Sequence, residues 1–170
     1  EMFEKNMEYY GALLPAAEAT GVKIGVENMF QTDPRRGYIV HDTCSTIFDF
    51  LRYIDTLNSP YAVACLDVGH VVVVRQQDEP ADFIRALGHK RLQALHIHDN
   101  DCRWDNHQIP FSMQIDYAPI IQALKEIGYG GWFTLEADKY LSAFDADSVL
   151  NGVKDLAASA QKLVQMWEGE

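Results

Sequence analysis

Cysteine is scarce in this 170-residue chain, and the scarcity is informative. Cys44, Cys65 and Cys102 are scattered and form no CxxC pair, so the sequence suggests neither a zinc ribbon nor a thioredoxin-type dithiol. An odd, dispersed set of thiols fits a reducing compartment, and the expected location is the cytoplasm. Cys65, inside the apolar run YAVACL, reads as a small buried hydrophobe. Long apolar runs are also missing. No stretch reaches the ~18 residues of a membrane span, and the acidic start EMFEKNMEYY lacks the basic-then-apolar order of a signal peptide. Positive charge is the third shortage, with 14 Lys+Arg against 25 Asp+Glu and a net charge of -11. That balance argues against a surface built for nucleic acid or anionic lipid, both of which need clustered cations. Linkers and low-complexity tracts are lacking too, so residues 1–170 read as one domain.

The chain that remains is 48% apolar and 23% charged, enough for one substantial core. Its pattern alternates helix and short apolar strand four times. A helical spacing of Met2, Phe3, Met7, Tyr10, Leu13 and Leu14 ends at Gly21, and the strand VKIGVEN (22–28) follows. After the loop QTDPRRGY, Asp42 or Thr43 caps a helix to about Leu57, ended by Asn58-Ser59-Pro60. The strand YAVACLDVG (61–69) leads to a helix near 80–88, then to the strand RLQALHIHD (91–99). A long loop, 100–115, reaches Asp116, which caps a helix to Ile127; the strand WFTLEAD (132–138) and an amphipathic helix over about 146–168 complete the order. Strands and helices in this alternation mean βα units and a parallel α/β sheet. Four units make either a small open sheet or half of an eightfold barrel, since a complete (β/α)8 barrel takes ~250 residues.

All four strands end in possible metal ligands: Glu27, then Asp67, then His96 with His98 and Asp99, then Glu136. The carboxyl ends of parallel strands are where α/β sites form, because the departing loops converge on one rim. One acid there is ordinarily a helix cap; four successive strand ends carrying ligands point to a metal. The mixed O/N set suits Mn, Co, Zn, Fe or Mg and does not choose among them. His96 and His98 lie two apart on one strand face, and His96 is the ligand we assign. His70, about one turn beyond Asp67, is placed to bind substrate. Arg103 and the Arg35-Arg36 pair occupy rim loops where a guanidinium can fork onto oxygen, although Arg35 and Arg36 read first as solvated charges. Phe30 and Trp104 could wall a small polar ligand, while His41 and His89 read as surface residues.

The series V-E-N at Glu27, L-D-V-G-H from Leu66 to His70, H-I-H-D-N from His96 to Asn100, D-N-H-Q-I-P from Asp105 to Pro110, and G-Y-x-G-x-x-x-L-E ending on Glu136 resembles the sugar phosphate isomerase/epimerase family. This xylose isomerase-like TIM barrel group includes ketose 3-epimerases, inosose-processing enzymes and endonuclease IV. The resemblance covers almost the whole chain and matches the carboxyl-terminal half of a (β/α)8 TIM barrel. It implies one divalent metal ion held by Glu27, Asp67, His96 and Glu136. It further implies Glu27 and Glu136 as the catalytic proton-transferring pair, and His70 as a holder of substrate oxygen. Arg103 lies near the place of a substrate-contacting arginine, at a different spacing. Pro110 is followed by Phe-Ser-Met where many relatives carry P-G-x-G, so the substrate is not transferable.

The implied activity is metal-dependent isomerisation or epimerisation of a small sugar, sugar phosphate or related polyol-ketone. A proton leaves a carbon beside a carbonyl and returns elsewhere, through an enediolate. The partner is then a small-molecule sugar, not nucleic acid or a membrane. The open half barrel is completed either by a homodimer or by an amino-terminal half. Two rivals stand beside this reading: an endonuclease IV-like phosphodiesterase on abasic DNA, where Asp105 and His107 would support a further ion, and an inactive partial barrel whose open edges are a liability.

Overall fold

Stretches with helical or alternating apolar patterns fold close to where the sequence places them. The computed structural model describes residues 1–74 and 76–169. Helix α1 (Met2–Thr20) stops at Gly21, whose φ of 71° supplies a left-handed cap that a side chain would resist. Strand β1 (Ile24–Glu27) follows, and then β2 (Phe30–Thr32) and β3 (Ile39–His41) pair as an antiparallel hairpin. The sequence reading treats this segment as plain loop. The Asp33 carboxylate accepts the Arg35 and Arg36 backbone N–H groups and closes the turn that makes the hairpin.

Helix α2 (Ile47–Leu57) is capped by Thr46, which accepts the Asp49 N–H, and not by Asp42 or Thr43. Asp42 instead accepts the Thr43 N–H in the preceding turn. Strand β4 (Ala62–Asp67) passes directly into α3 (Val68–Val74), a helix that the sequence reading omits because four consecutive valines disfavour one. It forms because Asp67 accepts the His70 N–H at 2.8 Å, and because Val71, Val73 and Val74 are buried by the surrounding fold. Helix α4 (Pro80–Arg91) turns sharply at Gly88, near the expected stop, and leads to β5 (Leu92–Ile97). Asp116 caps α5 (Tyr117–Ile127) as expected, accepting the Ala118 N–H. Strand β6 (Thr134–Leu135), the short α6 (Asp138–Leu141) and α7 (Val149–Glu168) end the chain.

The strands order as β1-β4-β5-β6, all parallel, while β2-β3 stands apart. Val26, Ala64, Leu66, Leu95 and Ile97 join Phe50, Phe83, Leu87 and Leu124 from the helices in the core. Full burial of each such large side chain contributes roughly 1.5–3 kcal/mol. The opposite face carries Gly25, Glu27, Cys65, Asp67, Ala94, His96 and Thr134, smaller or polar residues that alternate with the core set. Four βα units thus form an arc with helices outside and a polar concave face inside. Among the described residues, no helix is long and apolar enough to cross a membrane.

Candidate metal centre

Register brings the strand-end ligands together. Asp67 on β4 pairs with His96 on β5, Glu27 on β1 pairs with Cys65 two residues before Asp67, and the Glu136 N–H bonds to the Ile97 carbonyl at 2.9 Å just beyond β6. Four side chains on one inner face therefore meet at the rim. Ligand atoms of Glu27, Asp67, His96 and Glu136 all lie within 4.8 Å of one another. His96 Nδ1 stands 3.2 Å from Glu27 Oε1 and 2.7 Å from Glu136 Oε2. Both Asp67 Oδ2 and Glu136 Oε2 are enclosed and have no hydrogen-bond partner. Three carboxylates crowded this closely repel unless a positive charge sits among them. The orphaned oxygens and the O/N donor set fit a divalent cation from the Mg, Mn, Fe, Co and Zn group.

The same crowding moves the proton affinities. A hydrogen bond with the Cys65 thiol, followed by one with Glu27, pushes the His96 imidazole up to about 11. Burial raises the Glu136 carboxyl, helped by the charges of Asp67 and Glu27 and opposed by His96. Burial alone would raise Asp67 as well, yet its two imidazole neighbours, His98 and His70, outweigh that effect and hold it below the usual range.

Asp67 also faces a second group. His70, His98, Asp105 and His107 offer ligand atoms within 4.8 Å of one another. His98 Nε2 lies 3.2 Å from Asp67 Oδ1 and 3.4 Å from Asp105 Oδ1, close but misaligned for a hydrogen bond. His107 Nε2 sits 2.7 Å from Asp105 Oδ2, and the His98 and His107 rings stack at 4.3 Å, nearly parallel. Only an N–H can meet a carbonyl, so His70 Nδ1 donates to Asn28 and His107 Nδ1 donates to Glu136, which turns each Nε2 toward the group. Gly69 makes the room, since a Cβ there would fall 2.1 Å from the His98 ring. The sequence reading quoted D-N-H at Asp105 to His107 without placing it beside His70. The long loop between them hid that contact, and the motif itself was the available signal.

The other candidates separate clearly. His70 is buried between the two groups, 3.7 Å from Glu27, and Phe30 from the hairpin packs edge-on to its ring. Asp99 is a clamp rather than a rim ligand. Its fully buried carboxylate accepts the backbone N–H groups of Asn100, Met113, Gln114 and Ile115, closing the 100–115 loop at its base. Arg103 and Trp104 are exposed on a turn held by Asp101. Arg35 and Arg36 are exposed at the hairpin tip. His41 bonds Ser45, and His89 donates to the Gly128 carbonyl, both at the surface.

An arc of parallel βα units with a carboxylate-rich donor set at the strand ends defines an α/β barrel architecture with a candidate metal centre on its rim. The chain belongs to the xylose isomerase-like TIM barrel family, matched over residues 1–163. It is 31% identical over 124 residues to a D-psicose 3-epimerase of Enterocloster bolteae, covering 73% of this chain and 36% of that protein. A solved D-psicose 3-epimerase, determined in the presence of D-fructose, superposes with a TM-score of 0.75 at 14% identity, covering 97% of this chain and 56% of the other. The IOLI protein with a zinc atom gives 0.72 at 19% identity, with 98% and 58% covered. These structural likenesses show the fold, in which this chain forms a half barrel. The chain spans 34–48% of the length of the curated relatives it matches.

Proposed function

We propose that the protein is a divalent-metal-dependent isomerase or epimerase of a small sugar, sugar phosphate or related polyol-ketone. The observation that carries this reading is the convergence of Glu27, Asp67, His96 and Glu136 on one point of the concave face. Those four would hold the cation, and its chemistry there would be Lewis-acid stabilisation of charge developing on substrate oxygens. Glu27 and Glu136 stand at the two edges of the sheet and reach inward from opposite sides. One takes the proton from the carbon beside the carbonyl and the other returns it, so the substrate passes through its enediolate. Burial of Glu136 keeps a proton on its carboxyl to a higher pH than usual, which suits it to the acid role. His70 offers Nε2 to a substrate hydroxyl and Phe30 packs edge-on to its ring, while Arg103 stays exposed on the outer loop.

The test is solvent exchange. Wild-type protein with Mn²⁺ or Co²⁺ and a panel of ketoses in D₂O is expected to incorporate deuterium beside the carbonyl, followed by proton NMR. Glu136→Gln is expected to slow incorporation at least ~100-fold. Full exchange in that variant would overturn the assignment.

A second reading rests on the histidine group. His70, His98, Asp105 and His107 could hold a further cation, as a phosphodiesterase acting on abasic DNA would require. The net charge of -11 opposes it. Metal counting separates the two: one ion per chain favours the isomerase, and two or three with strand cleavage at an abasic site favour the nuclease.

A further inference from the structure

Asn28 takes no part in the proton-transfer scheme, yet it lies between groups that do and is only 1% exposed. Strand β1 ends at Glu27, and the last ladder pair with β4 joins Glu27 to Cys65. The backbone then leaves the sheet, with the Met29 N–H donating to the Thr43 carbonyl at 2.9 Å. Asp67 therefore stands beyond the end of that ladder, fully buried, where an unpaired backbone N–H or C=O would be costly. The Asn28 side chain meets both. Its Oδ1 accepts the Asp67 N–H at 2.8 Å, and its Nδ2–H donates to the Asp67 carbonyl at 3.0 Å. The Asn28 backbone carbonyl in turn accepts the His70 Nδ1–H at 2.9 Å, while Asp67 Oδ1 accepts the His70 N–H. Asn28, Asp67 and His70 thus close a buried ring of hydrogen bonds.

We infer that Asn28 is a positioning residue whose side-chain amide locks the Glu27 and Asp67 strand ends together and whose carbonyl sets the His70 ring with Nε2 toward the rim. The inference rests on reading the carboxylate cluster as a cation site and His70 as a substrate contact. Glu27 is the chain neighbour of Asn28, so the two amide bonds fix the spacing between two ligands from different strands. The same Asp67 is held from its other side by register with His96. A short side chain meets a peptide N–H and C=O together only if it carries an acceptor and a donor side by side, as an amide does. A carboxylate there would face the Asp67 carbonyl without a donor and would add to the repulsion among Glu27, Asp67 and Glu136. Groups that orient ligands in this way carry much of a metal site's affinity.

Asn28→Ala, Asn28→Ser and Asn28→Asp test the assignment in the full chain, with thermal unfolding to identify folded variants. The first readout is Co²⁺ affinity of the folded protein in competition with a chelator, which a merely structural role would leave unchanged. About a tenfold loss is expected in Asn28→Ala or, if alanine does not fold, in Asn28→Ser. Asn28→Asp separates position from charge. Its added carboxylate would by itself tighten cation binding, whereas the missing donor predicts binding weaker than in wild type. Affinity within about twofold of wild type in the alanine or serine variant would overturn the inference, and so would tighter binding in the aspartate variant. The second readout is the imidazole ¹H–¹⁵N spectrum without added metal, with His70 assigned by its loss in His70→Gln. A protected Nδ1–H signal is expected in wild type, and its loss in the alanine or serine variant. An unchanged signal there would overturn the role of Asn28 in setting the ring. If wild type takes up no Co²⁺, the cation reading of the cluster fails, while the His70 signal still decides whether Asn28 orients that ring.

Discussion

The two clusters at the rim share Asp67 but are built by opposite means. Glu27, Asp67, His96 and Glu136 are delivered by strand register alone, with three carboxylates to one imidazole, and all but Asp67 are partly open to the concave face. His70, His98, Asp105 and His107 reverse that ratio. They depend on a short helix, a long loop and a glycine, and they are enclosed by ring stacking and the hairpin. The open cluster concentrates negative charge and calls for a cation. The enclosed cluster has more imidazole than carboxylate and is compatible with either an ion or a network of neutral rings. Spacing along strands is read directly from a sequence, whereas meetings across loops are not.

Removing the shared residue should damage both clusters at once. Asp67→Ala takes a partner from His98, His70 and the His70 N–H inside the fold. We expect a loss of about 3 kcal/mol in urea unfolding, together with all Co²⁺ binding. A loss under about 1 kcal/mol would show that the two clusters do not depend on this carboxylate.

Separating the clusters requires a change that only one of them meets. Gly69→Ala puts a methyl group against the His98 ring and should cost about 2 kcal/mol by overpacking. Co²⁺ affinity at the open cluster should stay within about threefold, because the atoms nearest the new methyl all belong to His98, outside that cluster. A collapse of that affinity would mean that the clusters act as one site.

Proton competition sharpens the comparison further. The His96 imidazole, pushed up to about 11, holds its proton at neutral pH and must release it to ligate. Affinity for Co²⁺ should therefore rise with pH, by up to about tenfold per unit between about pH 6 and 9. Calorimetry in buffers of different ionisation enthalpy should find about one proton released per ion bound. Affinity independent of pH would contradict a protonated His96. The smallest effect is expected from Arg103→Ala. Its exposed side chain lies outside both clusters, so KM should rise no more than about threefold with kcat unchanged.

Much of the architecture is legible in the sequence. Alternating apolar stretches mark the four parallel strands, and period-two spacing places Glu27, Asp67 and His96 on one face. The resemblance at the strand-end motifs agrees with the family to which the chain belongs. Helix α3 was not legible, because four valines favour a strand locally and only burial and the Asp67 cap make them helical. Asp99 was misread as a possible ligand because its four backbone donors lie in a loop with no periodicity.

The β2-β3 hairpin closes on itself. Asp33 accepts the Arg35, Arg36 and Gly37 N–H groups and donates its own to the Tyr38 carbonyl, so the tip draws its order from within. Phe30 at its base touches His70, while the tip residues stay free of both clusters. Length and sequence at that tip can therefore drift without disturbing the ligands.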